Sequence, residues 1–478
     1  MLARRNISFA ANCLIVFFLL FGFRYIPPFG SLSPLSMQVI GVFAGVLYGW
    51  IRLSIGWPSL LGIVALGQTE FFSMNQLLVS AFGSQVFMMF LGLLLLSAFV
   101  QQAELTDMIL DSLMNLKSAR GRPFAILFYF LLAGFFASLL SHCIAVLIIF
   151  LELFRGMMKQ TGIKPYSSAV PCFLVGMVYS FCLGDIALPF KSTSIVGIGA
   201  YEAAMGAPMN LVSYTLFALP FSIFLIMTYV LLVKYIFRCD LDCLRDFVPE
   251  ARTGETIPLR KKVSLIAVIL ALLALLLPNI LPASWQLTAF VKSLGLGGLT
   301  LLIVAILLIV RVDGEPLMDL QKVAKNFSWN VLFLLAFLLP VAGAISSDKV
   351  GLKPILINFS TQLLQGMPDV MMITTIILLA AIITNFANNL VVAGIFITMI
   401  CMMGNVVHVN PELVSILILF ASCLAIFFPA ACPMNAIVFS QKDIVTFRQQ
   451  TSLALKVFVA EFSLIAIVGL GVGRLFFK

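Results

Sequence analysis

Apolar runs long enough to cross a bilayer recur along nearly the whole chain. A helix needs about 20 apolar residues to span the hydrocarbon core. The pattern predicts spans at 7–26, 35–53, 57–72, 78–101, 167–200, 211–237, 263–282, 294–311, 329–346, 411–441 and 452–475. Two further apolar stretches, 123–157 and 369–404, are interrupted at their middle by polar residues. The first carries Ser138, Ser141 and His142, and the second Thr384, Asn385, Asn388 and Asn389. Unpaired polar groups in lipid are costly, so irregular backbone at membrane depth is tolerated where it is buried in protein or lines a wet cavity. Each stretch is therefore read as a re-entrant hairpin with a polar tip. Each precedes an interrupted span. Span 167–200 breaks at Leu188-Pro189-Phe190-Lys191-Ser192-Thr193-Ser194, and span 411–441 at Phe428-Pro429-Ala430-Ala431-Cys432-Pro433-Met434-Asn435. A proline inside a helix frees backbone groups and unwinds the chain locally.

The order of hairpin then broken helix occurs twice. This predicts an N-terminal span (1–32), a first repeat (33–238), a charged cytoplasmic linker (239–262) and a second repeat (263–478). Basic segments at 117–122 and 155–164 flank the first hairpin, so it enters from the cytoplasm. The second follows an odd number of further crossings and enters from outside. Opposed copies of this kind are the mark of an inverted-repeat transporter with a midplane site made by discontinuous helices.

Composition narrows the class further. Of 478 residues, 62% are hydrophobic and 10% charged, where soluble domains carry about 25% charged residues. The mean hydropathy of +1.12 agrees. The formal net charge of +9 falls in short loops between apolar runs, including Arg4, Arg5, Arg155, Lys159, Arg260, Lys261 and Lys262. That is the positive-inside pattern and argues against a nucleic-acid partner. The nine cysteines lie mostly inside apolar runs and imply no disulfide framework. The first span follows Arg4 and Arg5 without a small-residue cleavage pattern and is read as retained. No cluster of His, Asp and Glu has metal-ligand spacing, so no enzyme chemistry is expected. The expected setting is a bacterial inner membrane.

These features resemble the divalent anion:sodium symporter family. The segments "IGVFAGVLYGWI" (40–51), "SAFGSQVFMMFLGLLLLSAFVQQAELTDMI" (80–109), "FSWNVLFLLAFLLPVAGAISSDKVGL" (327–352) and "TNFANNLVVAG" (384–394) match its order and character. The most specific likeness is "ASCLAIFFPAACPMNAIVF" (421–439), similar to the family's broken helix with its Pro-x-Asn turn at Pro433 and Asn435. The resemblance implies a dimer that moves a transport domain like an elevator. It also implies an organic anion, perhaps a di- or tricarboxylate, held between two hairpin tips, with one sodium in each repeat.

The family's Ser-Asn-Thr tips fall on Ser141-His142-Cys143 and Asn388-Asn389-Leu390. Thr384, Asn388, Asn389 and Ala431 are the implied cation residues of the second repeat. In the first repeat the family's Gly-Thr-Pro-Pro-Asn turn becomes Lys191-Ser192-Thr193-Ser194-Ile195, and Ala137 replaces a further hydroxyl. Lys191 would then be a tethered cation in place of the first sodium, with Ser192 and Thr193 beside the substrate. Lys191 and His142 could also carry protons, which leaves sodium, proton or exchange open. Two plainer readings stand beside this one. Lys191 pairs with Asp185 and pins the broken helix, and His142, Asn388 and Asn389 serve packing. The expected fold is all-α, with about 11 spans, two re-entrant hairpins and two broken helices. Transport of another anion such as sulfate, or a transport-inactive membrane subunit or receptor, are the alternatives.

Overall fold

The computed structural model describes all residues except 1, 31, 104–120, 246, 248–257, 281–284, 348, 353–354, 356–366, 404–408, 430 and 478. Residues 246 and 248–257 of the charged linker, with Lys117 and Arg120 of the first basic loop, lie outside the described residues.

The described chain is helical apart from one small ladder pairing Arg311–Val312 with Glu315–Pro316. Its turn is Asp313-Gly314, both at positive φ (55° and 80°), as a tight two-residue hairpin requires. Among the described residues, five helices are long and apolar enough to cross a membrane unaided: Pro34–Arg52, Gln85–Gln102, Pro123–Leu140, Leu211–Ile236 and Phe447–Phe476. A sixth is a pair bent by 75°, Leu320–Asn326 with Trp329–Ile345. Several other expected spans are shorter or divided, whereas the run 263–282 belongs to the unbroken 22-residue helix Leu259–Ile280. The run 78–101 splits into Met74–Phe82 and Gln85–Gln102, where the Ser84 side chain caps the second helix by accepting from Phe87 N. The run 294–311 is part of Gln286–Ile309, which kinks at Gly295 (φ 64°, ψ 173°). A Cβ there would lie 2.6 Å from Gln85 Oε1, so glycine permits both the kink and the close approach.

The core of the molecule is the doubled succession. The first hairpin is Pro123–Leu140 and Cys143–Thr161, followed by the halves of the first broken helix, Ala169–Gly184 and Ser192–Met205. The second hairpin is Asp369–Ile383 and Asn389–Met402, followed by Pro411–Ser422 and Pro433–Ser440. The repeats exchange their second half-helices. Ser192–Met205 packs on Asn389–Met402 and Pro411–Ser422, while Pro433–Ser440 packs on Cys143–Thr161 and Ala169–Gly184. This reciprocal packing is what two interlocked copies of one motif produce.

Close backbone approach, rather than an apolar driving force, holds helices together in lipid. Within the first repeat, Gly134 lies under the Phe181 ring, and a Cβ on Gly184 would stand 2.8 Å from the Phe135 carbonyl oxygen. Every residue of Ala169–Gly184 is buried. At the far end of the same unit, Arg155 on the first hairpin donates to Asp443 Oδ2 (2.8 Å) and Gln441 Oε1 (2.6 Å), just beyond the second broken helix. The guanidinium holds the Asp443 carboxyl below the usual carboxylate range. This latch is solvent-exposed, so its contribution is small and salt-screened.

Candidate functional site

The two unwound segments, between Gly184 and Ser192 and between Ser422 and Pro433, face the two hairpin tips. In the first, Lys191 occupies the N-cap position of Ser192–Met205, with extended backbone (ψ 152°). Its side chain is 3% exposed. Its Nζ donates to the carbonyl of Ser141 at 2.7 Å and lies 3.9 Å from Asp185 Oδ1. The other carboxylate oxygen, Asp185 Oδ2, accepts from the Thr193 backbone N–H (3.3 Å) and the Thr193 hydroxyl. Asp185 therefore caps the second half-helix from the end of the first, and Lys191 ties that junction to the hairpin tip. The Tyr214 hydroxyl completes it by donating to the Ile186 carbonyl, 2.9 Å from Ser194 Oγ.

The second repeat solves the same problem without charge. Asn385 Nδ2 donates to Leu424 O (3.0 Å), and its Oδ1 accepts from Phe427 N (2.9 Å), so one amide satisfies both sides of the break. Thr384 Oγ1 donates to Ser422 O at 3.3 Å. Asn435 Nδ2 donates to Ala425 O and Phe428 O, while its buried Oδ1 has no partner among the described residues. Ala431 is buried against this turn, its N–H donating to Phe428 O.

Between the tips lies a cavity of about 420 Å³. It gathers His142, Cys143, Asp185, Ser192, Thr193, Asn388, Asn389, Leu390 and Pro433, residues that span most of the sequence. Ser141, Lys191, Thr384, Ala431 and Asn435 are not among the lining residues; they stand behind it, bonded as described. The sequence pattern missed a third wall, made by Ile55 and by Ser328, Trp329 and Asn330 at the start of Trp329–Ser346. A Trp-Asn pair opening a span after an amphipathic stretch was the available signal.

The cavity's field comes from backbone. Four helices begin at its edge: Cys143–Thr161 behind N-cap His142, Ser192–Met205 behind Lys191, Asn389–Met402 behind Asn388, and Pro433–Ser440 behind Cys432. His142 Nδ1 accepts from Ile144 N (3.4 Å) and Asn388 Oδ1 from Leu390 N (2.9 Å), so both tip residues act as caps. Each helix N-terminus carries roughly half a positive charge on unpaired N–H groups and favours an anion.

Reciprocal half-helices, two capped tips and a cavity between them define a polytopic membrane protein with a transporter fold. The chain belongs to the citrate transporter family, whose sequence model matches residues 45–425. That membership agrees with the resemblance to the divalent anion:sodium symporters. Over 123 residues the chain is 29% identical to the sodium-dependent high-affinity dicarboxylate transporter 3 of Caenorhabditis elegans, covering 26% of this chain and 21% of that one. Over 128 residues it is 32% identical to human solute carrier family 13 member 2, covering 27% and 21%. The chain thus matches about a fifth of the length of these relatives. Its fold is similar to the crystal structure of the Alcanivorax borkumensis YdaH transporter, with a TM-score of 0.56 and 15% identity over 85% of this chain and 90% of that one.

Proposed function

We propose that this protein is a secondary transporter of a small organic anion, a di- or tricarboxylate, which binds between the two hairpin tips. The observation that carries the reading is the convergence of four helix N-termini on one cavity lined by Ser192, Thr193, Asn388 and Asn389. Carboxylate oxygens at the two ends of a small substrate would each meet N–H groups and side-chain donors from both repeats. Citrate and succinate are the substrates this chemistry and the family suit best. The setting proposed is a bacterial inner membrane, with a homodimer and an elevator movement as the family implies.

Lys191 takes the part of a fixed cation in the first repeat. Its ammonium sits on the carbonyl of the tip residue Ser141, where a bound cation would draw the tip to the broken helix. Pinning by Asp185 and cation replacement are here one arrangement, since the same ammonium meets both groups. The second repeat keeps oxygen donors instead. Asn435 Oδ1 is buried without a partner among the described residues, and Thr384 commits its proton to Ser422, leaving its lone pairs free. A sodium ion held by such oxygens would supply charge neutralisation next to the substrate.

Cys143 offers a native probe, because it lines the cavity and is partly exposed. Succinate or citrate is expected to slow alkylation of Cys143, read by mass spectrometry, and to leave the exposed Cys243 unaffected. Equal labelling with and without any carboxylate would overturn the assignment of the cavity.

A further inference from the structure

We propose that Glu461 is a proton-binding site at the centre of the membrane, held as a neutral acid by two hydroxyl groups. Glu461 lies halfway along the 30-residue span Phe447–Phe476, about 20 Å from either end at 1.5 Å rise per residue. It is 0% exposed. Among the described residues no cation lies within ion-pair distance of it. A carboxyl group at that depth must find a partner or stay neutral.

The hydrogen bonds decide between these. The Tyr179 hydroxyl donates to Glu461 Oε2 at 3.1 Å. Thr228 Oγ1 stands 3.3 Å from Oε1 and 3.5 Å from Oε2, yet it is 2.8 Å from the Leu225 carbonyl. A threonine hydroxyl has one proton, and a carbonyl can only accept. The shorter bond takes that proton, so Thr228 meets Glu461 as an acceptor. An ionised carboxylate has no proton to give it, and two lone pairs would oppose each other in a dry core. The set closes when Glu461 is protonated, accepting from Tyr179 and donating to Thr228.

Among the described residues, the elements packed on this face add no positive charge. Ala169–Gly184 presents Tyr179 and Cys172, and Leu211–Leu231 presents Thr228 and Tyr229, whose hydroxyl donates to Cys172 O. Cys423, beyond the end of Pro411–Ser422, lies near Tyr179. On Glu461's own helix, Lys456 is exposed. Tyr179 precedes the cavity residue Asp185 on the first broken helix by fewer than two turns. A shift of that helix changes the donor set around the carboxyl group and with it the proton affinity. This last consequence for transport rests on the function proposed above; the site itself does not.

Infrared difference spectra of the purified protein in lipid test the site without any transported anion. At neutral pH the wild type is expected to show the carbonyl stretch of a protonated carboxylic acid that Glu461→Gln lacks. That band should persist well above the pH of about 4.3 at which a free glutamate ionises. The two hydroxyl variants should move its loss in opposite directions, each by about a tenfold change in proton affinity, or one pH unit. Tyr179→Phe removes a donor to the carboxylate and moves the loss to higher pH. Thr228→Val removes an acceptor from the acid and moves it to lower pH. The opposed signs hold even if Glu461→Gln fails to fold. Absence of the band in the wild type, or upward shifts in both hydroxyl variants, would make Glu461 an ordinary carboxylate with two donors and overturn the proposal.

Discussion

Lys191→Met is expected to reduce anion uptake at least about a hundredfold while the protein still folds and inserts. Methionine fills the volume but strands Asp185 and releases the Ser141 carbonyl, the two groups that the ammonium joins. Removing one partner of a buried ion pair costs about 3–5 kcal/mol, or about two to three and a half powers of ten in an equilibrium. The tip then no longer closes on the broken helix, and the helix loses the fixed charge beside the substrate. Initial rates in proteoliposomes, with size-exclusion profiles as the folding control, give the measurement. Lys191→Gly is expected to behave differently, since it removes the ammonium and opens space at the tip. Uptake that becomes dependent on sodium in that variant is the outcome a tethered cation predicts. Unchanged uptake in Lys191→Met would end the idea.

The second large effect is on stability. Asn385→Leu leaves the Leu424 carbonyl and the Phe427 N–H unpaired in the buried break of the second repeat. Each orphaned buried group costs about 1–3 kcal/mol, so the two together approach the magnitude of a typical domain's margin. The thermal unfolding midpoint in detergent should fall by several degrees. Asn388→Ala removes one cap contact to Leu390 N and should cost about 1 kcal/mol. Neighbouring asparagines in one motif thus divide their work. A midpoint for Asn385→Leu no lower than that of Asn388→Ala would contradict the assignment.

The polar centres of the two hairpins were legible because lipid penalises them so heavily. Ser141, His142, Asn388 and Asn389 had to face protein or water, and the prolines that follow mark the breaks. The convergence of His142, Asn388 and Asn389 on one cavity, with Ser141 behind it, follows from the repeat order. Other features need coordinates. The wall made by Trp329 and Asn330 comes from a distant helix, and the Trp-Asn pair at its start marks a span opening without showing which cavity it faces. That Lys191 turns to a hairpin carbonyl, behind the lining, is set by packing among three segments. The importance of Asn385 is visible only through its partners across the break. Glu461 shares its span with Lys456, five residues earlier; nothing in its local sequence separates a lipid-interface residue from a buried acid. The divisions at Ser84 and Gly295 depend on a cap and on a close approach between helices, which hydropathy averages over.

Uptake of labelled succinate and citrate into proteoliposomes, with a sodium gradient, a proton gradient or neither imposed, tests the central claim most directly. The account predicts saturable uptake or exchange of at least one of these anions in the wild type, and its loss in Lys191→Met under the same gradient. If no carboxylate enters under any gradient while the reconstituted protein remains folded, the cavity between the tips is not a carboxylate site and the proposed function is wrong.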